Sequence, residues 1–545
     1  MEVGINDGAV LLLVFSCCLS HTLVVTDDSD IHEMDEPIPK HQLRRYIALM
    51  RRLLYRSCWL DEILPSMSRT ASQDRRSDSN YLGLSLISAA VRTMRDLHDR
   101  SSRRPLCAPN LWVVDDWLEK ELARCKSHEH YVSLNCTPLL RRCPFLVPFK
   151  RRLKLFDRIV ATNRLLIQGS NETQNLKPGL HIKIMRGRIL EDGVAHLNNL
   201  GNNMRQRIVV SYYNRAGASE TGLDVGGLFK EFWTDLSALA FDPNYALFRI
   251  TEGGDNCLYP NPSSGKAHGD DHIVLFEFLG RILGKALYEG ITINPQLAHF
   301  FLAFLRGDYN FLHMLPDLST MDPQLYHNLM FLKAYEGDAA DLCLTFTVVN
   351  DDFGSSEEIP LIPNGTTVEV TNSNKQRYIG LVAKYYVCDR IRQQSEAFTR
   401  GLWEVIDSSW LRLFDPNELQ VLISGSSEGK LDVADLRAHT RYVGGYTSLD
   451  VNVLRFWNVA SKLSSKQQRD LLRFVTSCER PPPLGFGSMN PPFTIQRIAI
   501  GHNEDKLPSA STCFNTLKLP TYPSEKVLRE KLIYAIESGA GFELT

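Results

Sequence analysis

No C-x-x-C pair occurs among the 12 cysteines, and no Cys/His spacing resembles a zinc site, so no metal and no cofactor is expected. Scattered cysteines in a chain of 545 residues fit a reducing compartment, where most are buried apolar residues. An intracellular, cytoplasmic protein is the expectation. A dominant charge is lacking too. The formal net charge is −2, so no global field draws nucleic acid or acidic lipid, and no nucleic-acid partner is expected. The basic runs Arg141-Arg142 and Lys150-Arg151-Arg152 are short and read as solvated helix faces. The apolar stretch Ala9 to Val25 has Glu2 and Asp7 before it and no Lys or Arg, unlike a signal peptide. Ser16, Ser20, His21 and Thr22 interrupt it before the run of about 20 apolar residues that a membrane span needs. It reads as a buried core helix, and no membrane insertion is expected. Sequons at Asn135, Asn171 and Asn364 add little, because such tripeptides arise by chance.

The length suits two to four compact units. Helical periodicity runs through Leu43–Leu64, Tyr81–His98, Leu111–Lys126 and Val147–Ile167, with no clear repeat period. Ser66–Asn80 is polar and reads as a linker. Gln168–Gly179 holds Gly, Asn and Pro and reads as a domain boundary, followed by a short strand over His181–Ile184. Leu228–Leu239 and Ile273–Tyr288 each set apolar residues on one helical face. Gly280 and Gly284 form a G-x-x-x-G beside Arg281, Lys285 and Glu289, which points to close helix packing in a soluble domain. The stretch from Ser424 to Gly429 is small and flexible in composition and suits a hinge. A final unit of ordinary small-domain size follows, ending in a helix over Glu525–Glu537 with Ser524 as its N-cap and Gly539 as its stop.

Among nucleophiles, Cys513 stands out. It lies in a polar turn between Pro508 and the apolar run Leu517–Leu519, with hydroxyls and amides around it to bind a thiolate or oxyanion. Its surroundings alone leave a plain structural cysteine as the stronger reading. Gly425-Ser426-Ser427-Glu428-Gly429 satisfies G-x-S-x-G, but the flanking chain lacks the strand–helix alternation of a serine hydrolase. A cysteine protease would need a histidine partner, such as His502.

The string LPSASTCFNTLKLPTY (507–522) resembles the active-site loop of HECT ubiquitin ligases, LP-x-x-HTCFN-x-L-x-LP-x-Y. Gly222-Leu223-Asp224-Val225-Gly226-Gly227, FEFLGRILGKALYEG (276–290), Val370–Lys375, Tyr442–Tyr446 and Phe456-Trp457 are similar to further family segments in family order. Leu258–Pro262 and the ending Gly541-Phe542-Glu543-Leu544 resemble the branch related to ubiquitin-protein ligase 3B. The resemblance implies an α+β fold in which an all-α region (1–180) precedes a bilobal domain. A large, mainly helical lobe (181–423), a hinge (424–429, with Gly425 and Gly429) and a small α/β lobe (430–545) would make it up. It also implies a thioester relay: a ubiquitin-conjugating enzyme docks on the large lobe, Cys513 accepts ubiquitin, and a lysine of an unidentified protein substrate takes it. Thr512, Phe514 and Asn515 match the loop around the nucleophile. Phe542 matches a residue used in transfer to lysine. Leu325, Leu329, Leu342, Leu344 and Tyr378 match conjugating-enzyme contacts, and each reads equally well as a core residue. Ser511 departs from the family's usual His before Thr-Cys. A non-catalytic interaction protein with a degenerate ligase domain is the alternative.

Overall fold

Amphipathic periodicity makes the front of the chain helical. The computed structural model describes residues 3–59, 75–114, 138–169, 177–214, 218, 227–307, 315–352, 355–426, 431–489, 491–498 and 506–538. Helices α1 (Val3–Val25), α2 (Lys40–Trp59), α3 (Arg75–Arg103) and α4 (Phe149–Gln168) lead, and the described residues before Leu180 hold no strand. The expected core helix is buried on one face only. Leu19 and Leu23 sit inside, while Leu11 is 70% exposed and Val14 is also exposed. The hydroxyls that interrupt the apolar run cost little: Ser16 Oγ donates to the Leu12 carbonyl and accepts from the Tyr46 hydroxyl on α2. No described helix is long and apolar enough to cross a membrane.

Three local expectations change. The linker read over Ser66–Asn80 is already helix α3 from Arg75, and 66–74 lie outside the described residues. The helix expected from Leu111 is a single 3-10 turn, Pro109–Leu111, and from 115 the segment lies outside the described residues. Arg152, read as part of a solvated face, is buried on α4. Its guanidinium donates to the carbonyls of Val147 (2.8 Å) and Leu413 (2.5 Å) and, bidentately, to Glu418. A charge run shows periodicity, but whether its far side is water or protein depends on a segment some 260 residues away.

After the boundary come β1 (Leu180–Met185), α5 (Ile189–Leu197) and β2 (Ile208–Tyr213), with β2 parallel to β1 and Ile182 opposite Val210. Helix α6 (Gly227–Ala240) follows, then the antiparallel pair β3 (Phe248–Ile250) and β4 (Leu258–Pro260). Helices α7 (His272–Glu289) and α8 (Pro323–Ala334), the hairpin β5 (Thr347–Asp352) and β6 (Ser355–Pro360), and helices α9 (Lys375–Val387), α10 (Arg392–Val405) and α11 (Pro416–Ser424) follow, with shorter helices between them.

The G-x-x-x-G of α7 packs against α10. A Cβ on Gly280 would collide with the Phe398 carbonyl, and one on Gly401 with the Glu277 carbonyl, so the two backbones touch. Charged groups line this seam in pairs. Arg281 bonds Glu404 and Glu277, and the fully buried Lys285 bonds Glu289 and the Gln206 carbonyl. One hydrophobic core runs through all of these elements, from Leu19 to Ile423.

A second core, from Leu436 to Ile536, is built by α12 (Val451–Lys462), α13 (Ser465–Thr476), α14 (Glu525–Ser538) and a four-stranded sheet. The sheet order is β7 (Arg441–Val443), β8 (Thr494–Ile498), β10 (Thr516–Pro520), β9 (Ser509–Ser511). Strand β8 lies parallel to both β7 and β10, and β9 runs antiparallel to β10. Buried Leu517 and Leu519 face the core from β10.

Candidate active site

The β9–β10 register pairs Ser511 with Thr516, so Thr512–Asn515 form the loop of a hairpin, and Cys513 lies in it. Thr512–Phe514 make one 3-10 turn. The turn closes on Asn515, whose φ of 47° is left-handed, a conformation that Asn tolerates better than most residues. Its backbone N–H donates to the Thr512 carbonyl at 3.2 Å, and its own carbonyl accepts from Thr494 on β8 at 2.9 Å. The side-chain amide donates to the Pro491 carbonyl at 2.7 Å. At 2% exposure, Asn515 is a staple under the loop. Phe514 points the other way and is 45% exposed.

A second group reaches this loop from the first core. Lys230, in the first turns of α6, donates to Asn515 Oδ1 at 2.6 Å and lies 3.3 Å from the Thr512 carbonyl. Lys230 and Asn515 also line a cavity of about 360 Å³, whose walls include Leu153, Leu287, Thr476 and Pro482. The two cores therefore meet beside the loop that carries Cys513.

Compared with protein families, residues 234–545 match HECT-domain (ubiquitin-transferase). The chain belongs to the HECT-domain family. Among curated relatives of this HECT-domain chain, E3 ubiquitin-protein ligase UPL6 of Arabidopsis thaliana is 36% identical over 98% of the chain and 51% of the relative. Ubiquitin-protein ligase E3B of Homo sapiens is 33% identical over the same shares, 98% and 51%. A probable E3 ubiquitin protein ligase of Schizosaccharomyces pombe is 40% identical over 74% of the chain and 38% of the relative. The chain spans about half the length of the first two and less of the third. The likeness to the 3B branch read in the sequence agrees with these matches.

The sequence-predicted docking residues of the HECT domain fall within the stretch from α8 to α9. Leu329 on α8 is buried, 4% exposed, while Leu325, Leu342, Leu344 and Tyr378 are half-buried and pack against the first core. Tyr378, on α9, stacks edge-on to Phe346 at 5.5 Å. The most exposed aromatic on α8 is Phe331, at 57%, next to Tyr335 with ring centroids 5.7 Å apart. Sequence reasoning missed it, because the residues of α8 show no clear apolar face against which an exposed Phe would stand out. Lys230 was missed as well, since a lysine on a helix gives no sign of what faces it. Gly425 ends α11 at φ 83° and is buried; a Cβ there would stand 2.7 Å from the Pro481 carbonyl. Gly429, Phe542 and the segment 221–226 lie outside the described residues.

Proposed function

We propose that this chain is a ubiquitin ligase whose Cys513 carries ubiquitin as a thioester. The observation that carries the reading is the placement of Cys513 in a stapled hairpin loop within a HECT-domain chain. In the first step the Cys513 thiolate attacks the carbonyl carbon of ubiquitin's C-terminal thioester on the conjugating enzyme. The new C–S bond forms, the old one breaks, and the conjugating enzyme leaves as a thiolate that water protonates. Because one thioester replaces another, little free energy is spent. A substrate lysine, deprotonated from an ordinary pKa near 10.4, then attacks. An isopeptide bond forms, its excess proton passes to solvent, and Cys513 departs as thiolate.

The two cores support the bilobal reading, with a large lobe over 181–423, a hinge over 424–429 including Gly425 and Gly429, and a small lobe over 430–545. The helices before residue 180 would serve as a buttress to the large lobe, since they share its core. We assign docking of the conjugating enzyme to the α8–α9 face around Leu325, Leu342, Leu344 and Tyr378, with buried Leu329 shaping it from beneath and Phe331 as a further contact. Thr512 and Asn515 hold the loop, Phe514 meets ubiquitin or its carrier, and Phe542 acts in transfer to lysine. Scattered single cysteines favour a cytoplasmic setting.

A gel assay with ubiquitin, activating enzyme and a panel of conjugating enzymes tests the relay. An adduct that reductant removes and Cys513→Ala abolishes is the expected result. Absence of any adduct from well-folded chain would favour a non-catalytic binding protein and place Ser511 under suspicion.

A further inference from the structure

We propose that Lys230 is a positioning residue for Cys513: it fastens the nucleophile's loop to helix α6 and supplies the fixed positive charge that favours the thiolate. The inference rests on the ligase reading for its final step, though not for its electrostatics.

Three observations carry it. Lys230 bonds the loop at two points that bracket Cys513, the Thr512 carbonyl before it and the Asn515 side chain after it. Asn515 is itself buried and bonded to Pro491, so the lysine grips a fixed part of the loop rather than a free side chain. The cation is half-buried beside a cavity whose charged walls are Asp157, Arg164, Glu289 and Arg480, and water screens it less there than on an open surface. A cation held at a cysteine-bearing loop favours the thiolate over the thiol, and the thiolate is the form that attacks.

The contact also couples chemistry to geometry. Lys230 belongs to an element of the first core and Asn515 to the second, so the charge acts on Cys513 only while the two are apposed. In the step affected, the Cys513 thiol loses its proton to solvent, and the thiolate displaces the conjugating-enzyme thiolate from ubiquitin. Lys230 itself exchanges no proton.

The test has two arms on the full chain, with Lys230→Gln, Lys230→Arg and wild type. The first follows alkylation of Cys513 by iodoacetamide from pH 6 to 10, resolved by peptide mass spectrometry. Lys230→Gln should raise the midpoint by about one pH unit, and Lys230→Arg should restore most of it by keeping the charge. The second arm follows single-turnover acceptance of ubiquitin from a loaded conjugating enzyme over the same pH range. Lys230→Gln should slow acceptance about tenfold at pH 7, with the deficit closing at high pH. An unchanged alkylation midpoint would overturn the proposal. So would an equal loss at every pH, which marks a merely structural lysine. If Lys230→Gln fails to fold, the midpoint of wild-type Cys513 decides: a value at or above the ordinary 8.5 sinks the proposal. Wild-type chain that alkylates as expected yet accepts no ubiquitin would overturn the ligase reading and leave the role of Lys230 standing.

Discussion

The two cores solve the same packing problem with different chemistry. Among the described residues, every buried charged side chain lies in the larger region: Asp27, Asp28, Asp96, Arg100, Arg152, Arg281, Lys285 and Asp317. The described residues of the smaller region bury only neutral polar groups, such as Asn452, Gln468 and Asn515. Size is one reason. The larger core joins several layers of helices, and long cationic side chains span the seams that short apolar ones leave open. Arg152 ties α4 to the first turn of α11, and Arg100 with Arg103 clamps Asp28. The smaller core closes on a single sheet, where one amide such as Asn452 satisfies the strand ends. Charges fixed across seams make the larger region brittle to changes of charge, while the smaller region should respond mainly to changes of shape.

The largest effect expected from this contrast comes from Arg152→Met. It leaves the Glu418 carboxylate half-buried without its partner and should cost about 3–5 kcal/mol. Chemical denaturation followed separately in the two regions should show the larger one unfolding earlier, with the smaller one unmoved. Equal shifts in both would break the comparison. Next comes Gly280→Ala, whose methyl must push α7 away from α10 at a cost of about 3 kcal/mol. Circular dichroism and melting would register it, and a neutral result would refute the backbone contact.

In the smaller region, Asn452→Ala should cost about 1–3 kcal/mol. Asn452 donates to the Pro520 carbonyl at 2.9 Å and accepts from the Tyr522 N–H at 3.1 Å, and both would lose a partner. Hydrogen exchange at Tyr522 should report the loss without change in the larger region.

A pH effect comes last, because it vanishes at neutral pH. His98 is packed between Trp112 and Phe145, and burial lowers its pKa to about 4. The unfolded chain binds a proton near pH 6.5 and the folded chain does not, so stability is lost as pH falls from about 6.5 toward 4 and levels off below. His98→Phe should flatten that slope in the larger region, measured as the denaturation midpoint against pH. A slope that persists in the variant would assign acid sensitivity to other groups.

Much of this was legible in the residues. The strand at His181–Ile184 and the helices over Leu228–Leu239, Ile273–Tyr288 and Glu525–Glu537 all lie where periodicity puts them, since each shows an apolar face at its own period, while the expected stop at Gly539 lies outside the described residues. The two-glycine step on α7 announced a close contact, because nothing else explains missing side chains in a buried face. The loop of Cys513 was readable from its string of residue types. Local patterns fail where the partner is distant. Ala9–Val25 looks like a wholly buried helix because hydropathy counts residues and does not know how many neighbours will cover them. Arg152 and Lys230 look like ordinary surface cations until a segment some 260 to 290 positions later packs against them.

The sequence by itself determined which segments are helix or strand, that Cys513 sits in a polar loop, and the HECT resemblance, because propensity, periodicity and motif are properties of neighbours along the chain. Only the tertiary structure decided which charges are buried, which face of α1 stays exposed, and that Lys230 meets the loop of Cys513. Those depend on which surfaces meet in space, and burial free energy is set by that meeting, not by the residue that enters it.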